Sequence, residues 1–119
     1  MKKVYHLKTC NTCERIIKTL NLPNDFSFQE IKTEAITVKQ IEHLKNLAGS
    51  YEALFSRRAK LYKDMGLKDM NLSEADYKHY ILNHYTFLKR PVIVVKDNIF
   101  IGNSAKTVES AKAFIHSHE

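Results

Sequence analysis

Val92-Ile93-Val94-Val95 is the longest uninterrupted hydrophobic run in the chain, and all four residues are β-branched. Branching at Cβ favours the pleated strand over the helix, and a run without alternation has no polar face to turn toward water. The segment Leu88 to Val95 therefore reads as a strand buried on both faces, entered through Lys89-Arg90-Pro91. Asp97 and Asn98 read as a turn, with Ile99, Phe100 and Ile101 returning as a hairpin partner before Gly102. A run of four is far too short to span a bilayer, so no membrane association is expected.

The remainder of the chain supplies layers for such a strand. Lys3 to Leu7 is rich in β-formers and ends at a loop, Lys8 to Thr12; from Cys13, the residues Ile16, Ile17 and Leu20 follow at helical spacing until Asn21 and Pro23. Phe26, Phe28 and Ile31 alternate with Ser27, Gln29 and Lys32, which predicts a second strand, parallel to the first because a helix connects them. Thr37 and Gln40 have the spacing of a capping box, followed by the stripe Ile41, Leu44, Leu47, Ala48 and a stop at Gly49. Tyr51 to Tyr62 predicts a short helix or turn, and Ser73 with Asp76 opens a further helix through Tyr77, Tyr80 and Ile81. Val108, Ala111, Phe114 and Ile115 place a last helix after Ser104. The order is βαβ, a helical block, then ββα. At 119 residues this is one α/β domain, residues 1–119, with a helical insertion over about residues 37–87.

Nineteen Lys and Arg against thirteen Asp and Glu leave a net charge of +6, which favours an anionic partner without saying which. The aromatic residues fall at apolar spacings and read as core, and no nucleic-acid module is present, so direct DNA or RNA binding is not expected. The isolated glycines Gly49, Gly66 and Gly102 cannot build a phosphate loop. The N-terminal apolar stretch, Val4 to Leu7, is broken by His6 and is too short for a signal peptide, so a cytoplasmic location is expected.

The chemistry concentrates at Cys10-Asn11-Thr12-Cys13, between the first strand and the first helix. Free N–H groups of the first helical turn are expected to point at the Cys10 sulfur, where the helix dipole favours the thiolate. Cysteines in such settings have pKa values lowered to roughly 3.5–7.5, which makes Cys10 the candidate nucleophile. Cys13, one turn later, is placed to attack an adduct on Cys10 and release it. The pair is also half of a zinc site, but a second pair of ligands is needed, and the six histidines lie singly or as His116 and His118 in the last helix. A redox pair in a reducing compartment is therefore preferred, with no metal and no bound cofactor.

Arg90 and Pro91 open the buried strand on the turn expected to face the cysteine loop. Arg90 then either stabilises the Cys10 thiolate or binds an oxyanion, unless Lys89 and Arg90 simply guard the strand against aggregation. The cluster Arg57-Arg58-Ala59-Lys60 reads on pattern alone as a solvated face. His6 and Lys8 read as exposed edges flanking the loop.

Four segments taken in order resemble one known family. These are Tyr5-His6 before Cys10-Asn11-Thr12-Cys13; Arg58-Ala59-Lys60-Leu61-Tyr62 with Met65-Gly66-Leu67; Leu88-Lys89-Arg90-Pro91-Val92-Ile93-Val94; and Gly102. Together they resemble the arsenate reductase (ArsC) and Spx family of the thioredoxin superfamily. The resemblance implies a thioredoxin-like fold, with a mixed four-stranded sheet and a helical insertion between its halves. It puts the nucleophile on Cys10 and anion-binding arginines on Arg58 and Arg90, with Arg57 the alternative to Arg58, and Asn11, Thr12 and Pro91 around the anion. A small oxyanion or thiol substrate is implied, with glutathione and glutaredoxin, or thioredoxin, as electron donor. The chain departs from the best-characterised reductases in having CxxC for a single cysteine and Gly102 where they carry a further arginine. Both features resemble Spx-like regulators, which implies the alternative of a disulfide switch that binds the RNA polymerase α subunit.

Overall fold

The structure is a computed structural model that describes residues 1–118. Its elements run β1 (Lys2–His6), α1 (Asn11–Leu20), β2 (Ser27–Glu30), α2 (Val38–Ala48), α3 (Lys60–Asp64), α4 (Glu74–Asn83), β3 (Val92–Val95), β4 (Asn98–Ile101) and α5 (Ala105–Ser117), with short 3-10 turns between α2 and β3. They form two compact units, one made by the N-terminal segment to Glu34 together with the chain from Arg90 onward, the other by Ala35–Lys89.

In the first unit the strands lie in the order β2-β1-β3-β4. β1 is parallel to β2 and antiparallel to β3, and β4 closes the hairpin with β3, giving the mixed thioredoxin-like sheet. The Val92–Val95 run is central, with every residue at most 3% exposed. Ile93 and Val95 join Val4, Ile16, Leu20, Phe26, Ala111 and Ile115 in one core, so α1 and α5 share a face of the sheet. Val92, Val94 and Tyr5, which alternate to the opposite face, are buried as well. Burying each Val or Ile of this run contributes about 1.5–3 kcal/mol, which makes it the main anchor of the sheet.

Four local expectations change. β3 begins at Val92 because Leu88 bridges to Phe55, and Lys89 N–H donates to the Leu54 carbonyl at 2.8 Å, drawing both into the second unit. The hairpin turn is Lys96-Asp97, since Asn98 already pairs with Val95; Lys96 takes the left-handed conformation at φ +58°. α1 begins at Asn11, two residues before Cys13. On β2 the expected alternation fails at one pair, Phe28 being 49% exposed and Gln29 buried, while Phe26 and Ile31 are buried as expected. β2 is an edge strand, so its Phe28 ring stands edge-on to His6, 5.7 Å between centroids, and Gln29 Nε2 meets its burial by donating to the Glu34 carbonyl at 3.1 Å.

In the second unit α2 and α4 are capped reciprocally, whereas α3 starts after Ala59 without a side-chain cap. The Gln40 N–H donates to Thr37 Oγ1 at 3.1 Å and the Thr37 N–H to Gln40 Oε1 at 3.0 Å; Ser73 and Asp76 repeat the arrangement at α4. α2 ends on Gly49, whose φ of +96° a side chain would strain. The unit is centred on Phe55, fully buried and stacked on Phe87 with centroids 5.4 Å apart.

Candidate functional site

The turn that carries the first cysteine is closed by the Cys10 N–H donating to the Leu7 carbonyl at 3.0 Å. Cys10 is the N-cap of α1, in extended backbone, and is partly exposed; Asn11 is exposed and Thr12 half-buried. The Cys10 side chain makes no capping hydrogen bond. The expected aim of the first-turn N–H groups at the sulfur is thus not realised as a bond, and the sulfur is left for a substrate to reach. Both cysteines are free thiols.

Cys13 sits one turn further along, with no exposed surface. Burial pushes its thiol up from 9.0 to about 11; a backbone hydrogen bond from Leu7 and the charge of Arg90 act against this, and Cys10 and Glu14 add to it. Near neutral pH Cys13 therefore keeps its proton. The native thiol binds that proton more tightly than the unfolded one, so its contribution to stability is intact below 9.0 and is lost as pH rises from 9.0 toward about 11. Tyr5, raised by burial and by Glu34, adds a second alkaline loss. Urea unfolding should accordingly show the stability gap between the native chain and Cys13→Ala narrowing as pH rises from 8 to 11, and a constant gap would contradict a buried, protonated Cys13.

His6 is only 7% exposed, not an exposed strand edge. It shares the α1 side of β1 with Val4, and its Nδ1 lies 3.3 Å from Glu14 Oε2 on the first turn of α1. Phe28 covers its other side. Lys8 is exposed at the side chain, but its backbone N–H donates to Glu30 Oε2 at 3.0 Å. Neither Glu14 nor Glu30 belongs to any motif, and only the folded chain brings them to the loop.

Arg90 and Pro91, joined by a cis peptide, belong to the same unit as the cysteines, and the Arg90 charge reaches Cys13. The Pro91 carbonyl accepts from the Gly102 N–H at 2.9 Å. Gly102 has φ +90°, a conformation in which any L side chain, an arginine included, is strained. Arg57 and Arg58 stand in the second unit. The Arg57 guanidinium is engaged, donating to Glu52 Oε2 at 2.7 Å and to the Tyr77 hydroxyl at 3.0 Å, whereas the Arg58 side chain is exposed. Among the described residues no three His, Cys, Asp or Glu side chains are gathered as a metal site needs, and no helix is long and apolar enough to cross a membrane.

The ArsC family model matches residues 5–111. The uncharacterized protein YfgD of Escherichia coli (strain K12) is 25% identical over 113 residues, covering 89% of this chain and 92% of its own length. Among solved structures, a Bacteroides fragilis protein described as ArsC family related superposes with a TM-score of 0.77 at 19% identity, over 92% of this chain and 96% of that one. An arsenate reductase from Vibrio cholerae superposes with a TM-score of 0.73 at 19% identity, over 96% and 98% of the two chains. At these identities the structural likeness speaks to the fold.

Proposed function

The chain belongs to the ArsC family, and from that premise we propose that it is a cytoplasmic thiol-dependent reductase of small oxyanions, arsenate or a related thiol-reactive species. The carrying observation is the contrast between its two thiols: Cys10 partly exposed at the head of α1, Cys13 fully buried one turn behind it. A reachable nucleophile with a second thiol one turn behind it is what a two-step exchange requires.

With arsenate as substrate, the Cys10 thiolate attacks arsenic and one oxygen leaves as water, giving a sulfur–arsenic(V) bond. Cys13 then passes its proton to an arsenic-bound oxygen of the adduct and attacks the Cys10 sulfur. The sulfur–arsenic bond breaks, its electron pair stays on arsenic, and arsenic(III) departs from a Cys10–Cys13 disulfide. Glutathione with glutaredoxin, or thioredoxin, returns the two electrons. Arg90 holds the anion, aided by the Asn11 and Thr12 backbone and the Pro91 turn. Of the two adjacent arginines in the second unit, Arg57 is engaged with Glu52 and Tyr77 while Arg58 is exposed.

The test is turnover of arsenate by purified protein with each donor system. Arg90→Lys, which keeps the charge but loses the planar fork, should lower kcat/KM by about 10- to 100-fold, mostly through KM. Cys13→Ser should stop thioredoxin-linked turnover and spare glutathione-linked turnover. The glutathione thiolate can attack the Cys10 sulfur of the arsenic adduct in place of Cys13 and release arsenic(III) from a Cys10–glutathione disulfide. Absence of turnover with any small oxyanion or disulfide, together with reversible disulfide formation and binding to the RNA polymerase α domain, would replace this reading by the Spx-like regulator.

A further inference from the structure

The carboxylate of Glu30 is the most heavily used acceptor near the cysteine loop. Its Oε2 takes the Lys8 N–H at 3.0 Å, while Oε1 takes the Lys32 N–H at 3.1 Å, the Thr33 N–H at 2.9 Å and the Thr33 hydroxyl at 3.1 Å. Glu30 ends β2, and its backbone pairs in parallel register with His6 at the end of β1. Lys8 is the second residue of the turn whose closing bond runs from the Cys10 N–H to the Leu7 carbonyl. Each carboxylate oxygen therefore serves one side of a seam: one the turn that presents Cys10, the other the turn that follows β2. Partial burial would raise this carboxyl, but the N–H groups of Lys8, Thr33 and Lys32 and the Thr33 hydroxyl together hold it below the usual carboxylate range, so it is ionised across neutral pH.

We propose that Glu30 is a positioning residue for Cys10: by fixing the Lys8 peptide it holds the Leu7–Cys10 turn so that the sulfur stays at the head of α1. The proposal rests on Cys10 being the reactive thiol. Lys8 N–H and the Thr33 groups are neutral donors that the end of β2 could satisfy with water, so the carboxylate is not needed to rescue a buried group. Its place at the junction gives it a geometric task instead.

The direction of the effect separates this role from a simple charge effect. Deleting an anion near a thiolate favours the thiolate and speeds its reactions. Deleting a tether that aims the sulfur slows them. The experiment measures iodoacetamide labelling of Cys10 in the whole chain as a function of pH, with peptide mapping to distinguish it from Cys13. Hydrogen exchange of the Lys8 amide is followed alongside. Glu30→Ala should slow Cys10 labelling near pH 7 by about three- to tenfold and speed Lys8 exchange. Glu30→Gln, which keeps one acceptor oxygen, should fall between Glu30→Ala and the native chain, and provides the comparison if the alanine variant does not fold. Labelling in a folded Glu30→Gln or Glu30→Ala protein that is equal to or faster than in the native chain would overturn the proposal. If instead Cys10 in the native chain labels no faster than in urea, the reductase reading fails first, whatever the variants do.

Discussion

Cys10→Ser is expected to abolish reductase turnover, a loss of at least about a thousandfold in kcat with either donor, because an alcohol at this position is neither ionised near neutral pH nor able to pass electrons on. The fold should survive. Cys10 is partly exposed, its side chain makes no capping bond, and the turn is closed by backbone, from the Cys10 N–H to the Leu7 carbonyl. Urea midpoints for the native and variant chains should therefore agree within experimental scatter while arsenate reduction, followed by oxidation of the donor's NADPH, disappears. Retained turnover in Cys10→Ser would remove Cys10 from the chemistry. Turnover lost together with a shifted midpoint would mean that the thiol has a packing role that its exposure does not suggest.

The largest stability effect is expected in the second unit. Phe55→Ala should cost about 3–5 kcal/mol, a large part of the total for a domain of this size. Phe55 is fully buried, stacked on Phe87 at an interplanar angle of 11°, tilted against Tyr77 at 4.9 Å and edge-on to Tyr62 at 5.9 Å. Its backbone also bridges to Leu88. Removing the ring leaves a cavity that three aromatic neighbours cannot fill without giving up their own contacts. One of them, Tyr77, accepts from Arg57, so the arginine's geometry should loosen with the cluster. Equilibrium urea unfolding gives the magnitude, and amide exchange within residues 35–89 tests whether the loss begins there. A loss below about 1 kcal/mol would show that the cluster relaxes, as in well-tolerated core repacking.

Much of this was legible before folding because it depends on local rules. The β-branched run could only be a buried strand, the two capping boxes announce α2 and α4 by spacing alone, and CxxC between strand and helix draws attention to itself. Most of the failures at the site come from contacts between residues distant in the chain. Phe28 looks like core by alternation, yet β2 is an edge strand and Gln29 is the residue turned inward, satisfied by a carbonyl five residues on. His6 looks polar and therefore exposed, but Phe28 and Glu14 close over it. Glu30 is one glutamate among many until β2 lies beside β1 and brings it to Lys8. Arg57 and Arg58 are indistinguishable by composition and separate only when Glu52 and Tyr77 claim the first of them.

Gly102 bears on how this protein could change. Its φ of +90° and its bond to the Pro91 carbonyl belong to the backbone, not to any side chain that one codon could replace. An arginine there would bring about 1–3 kcal/mol of conformational strain along with its charge. Acquiring a further cation at this position therefore carries a backbone cost that its new contacts must offset. An inherited turn conformation, as much as any selected contact, limits which anions this lineage can come to prefer.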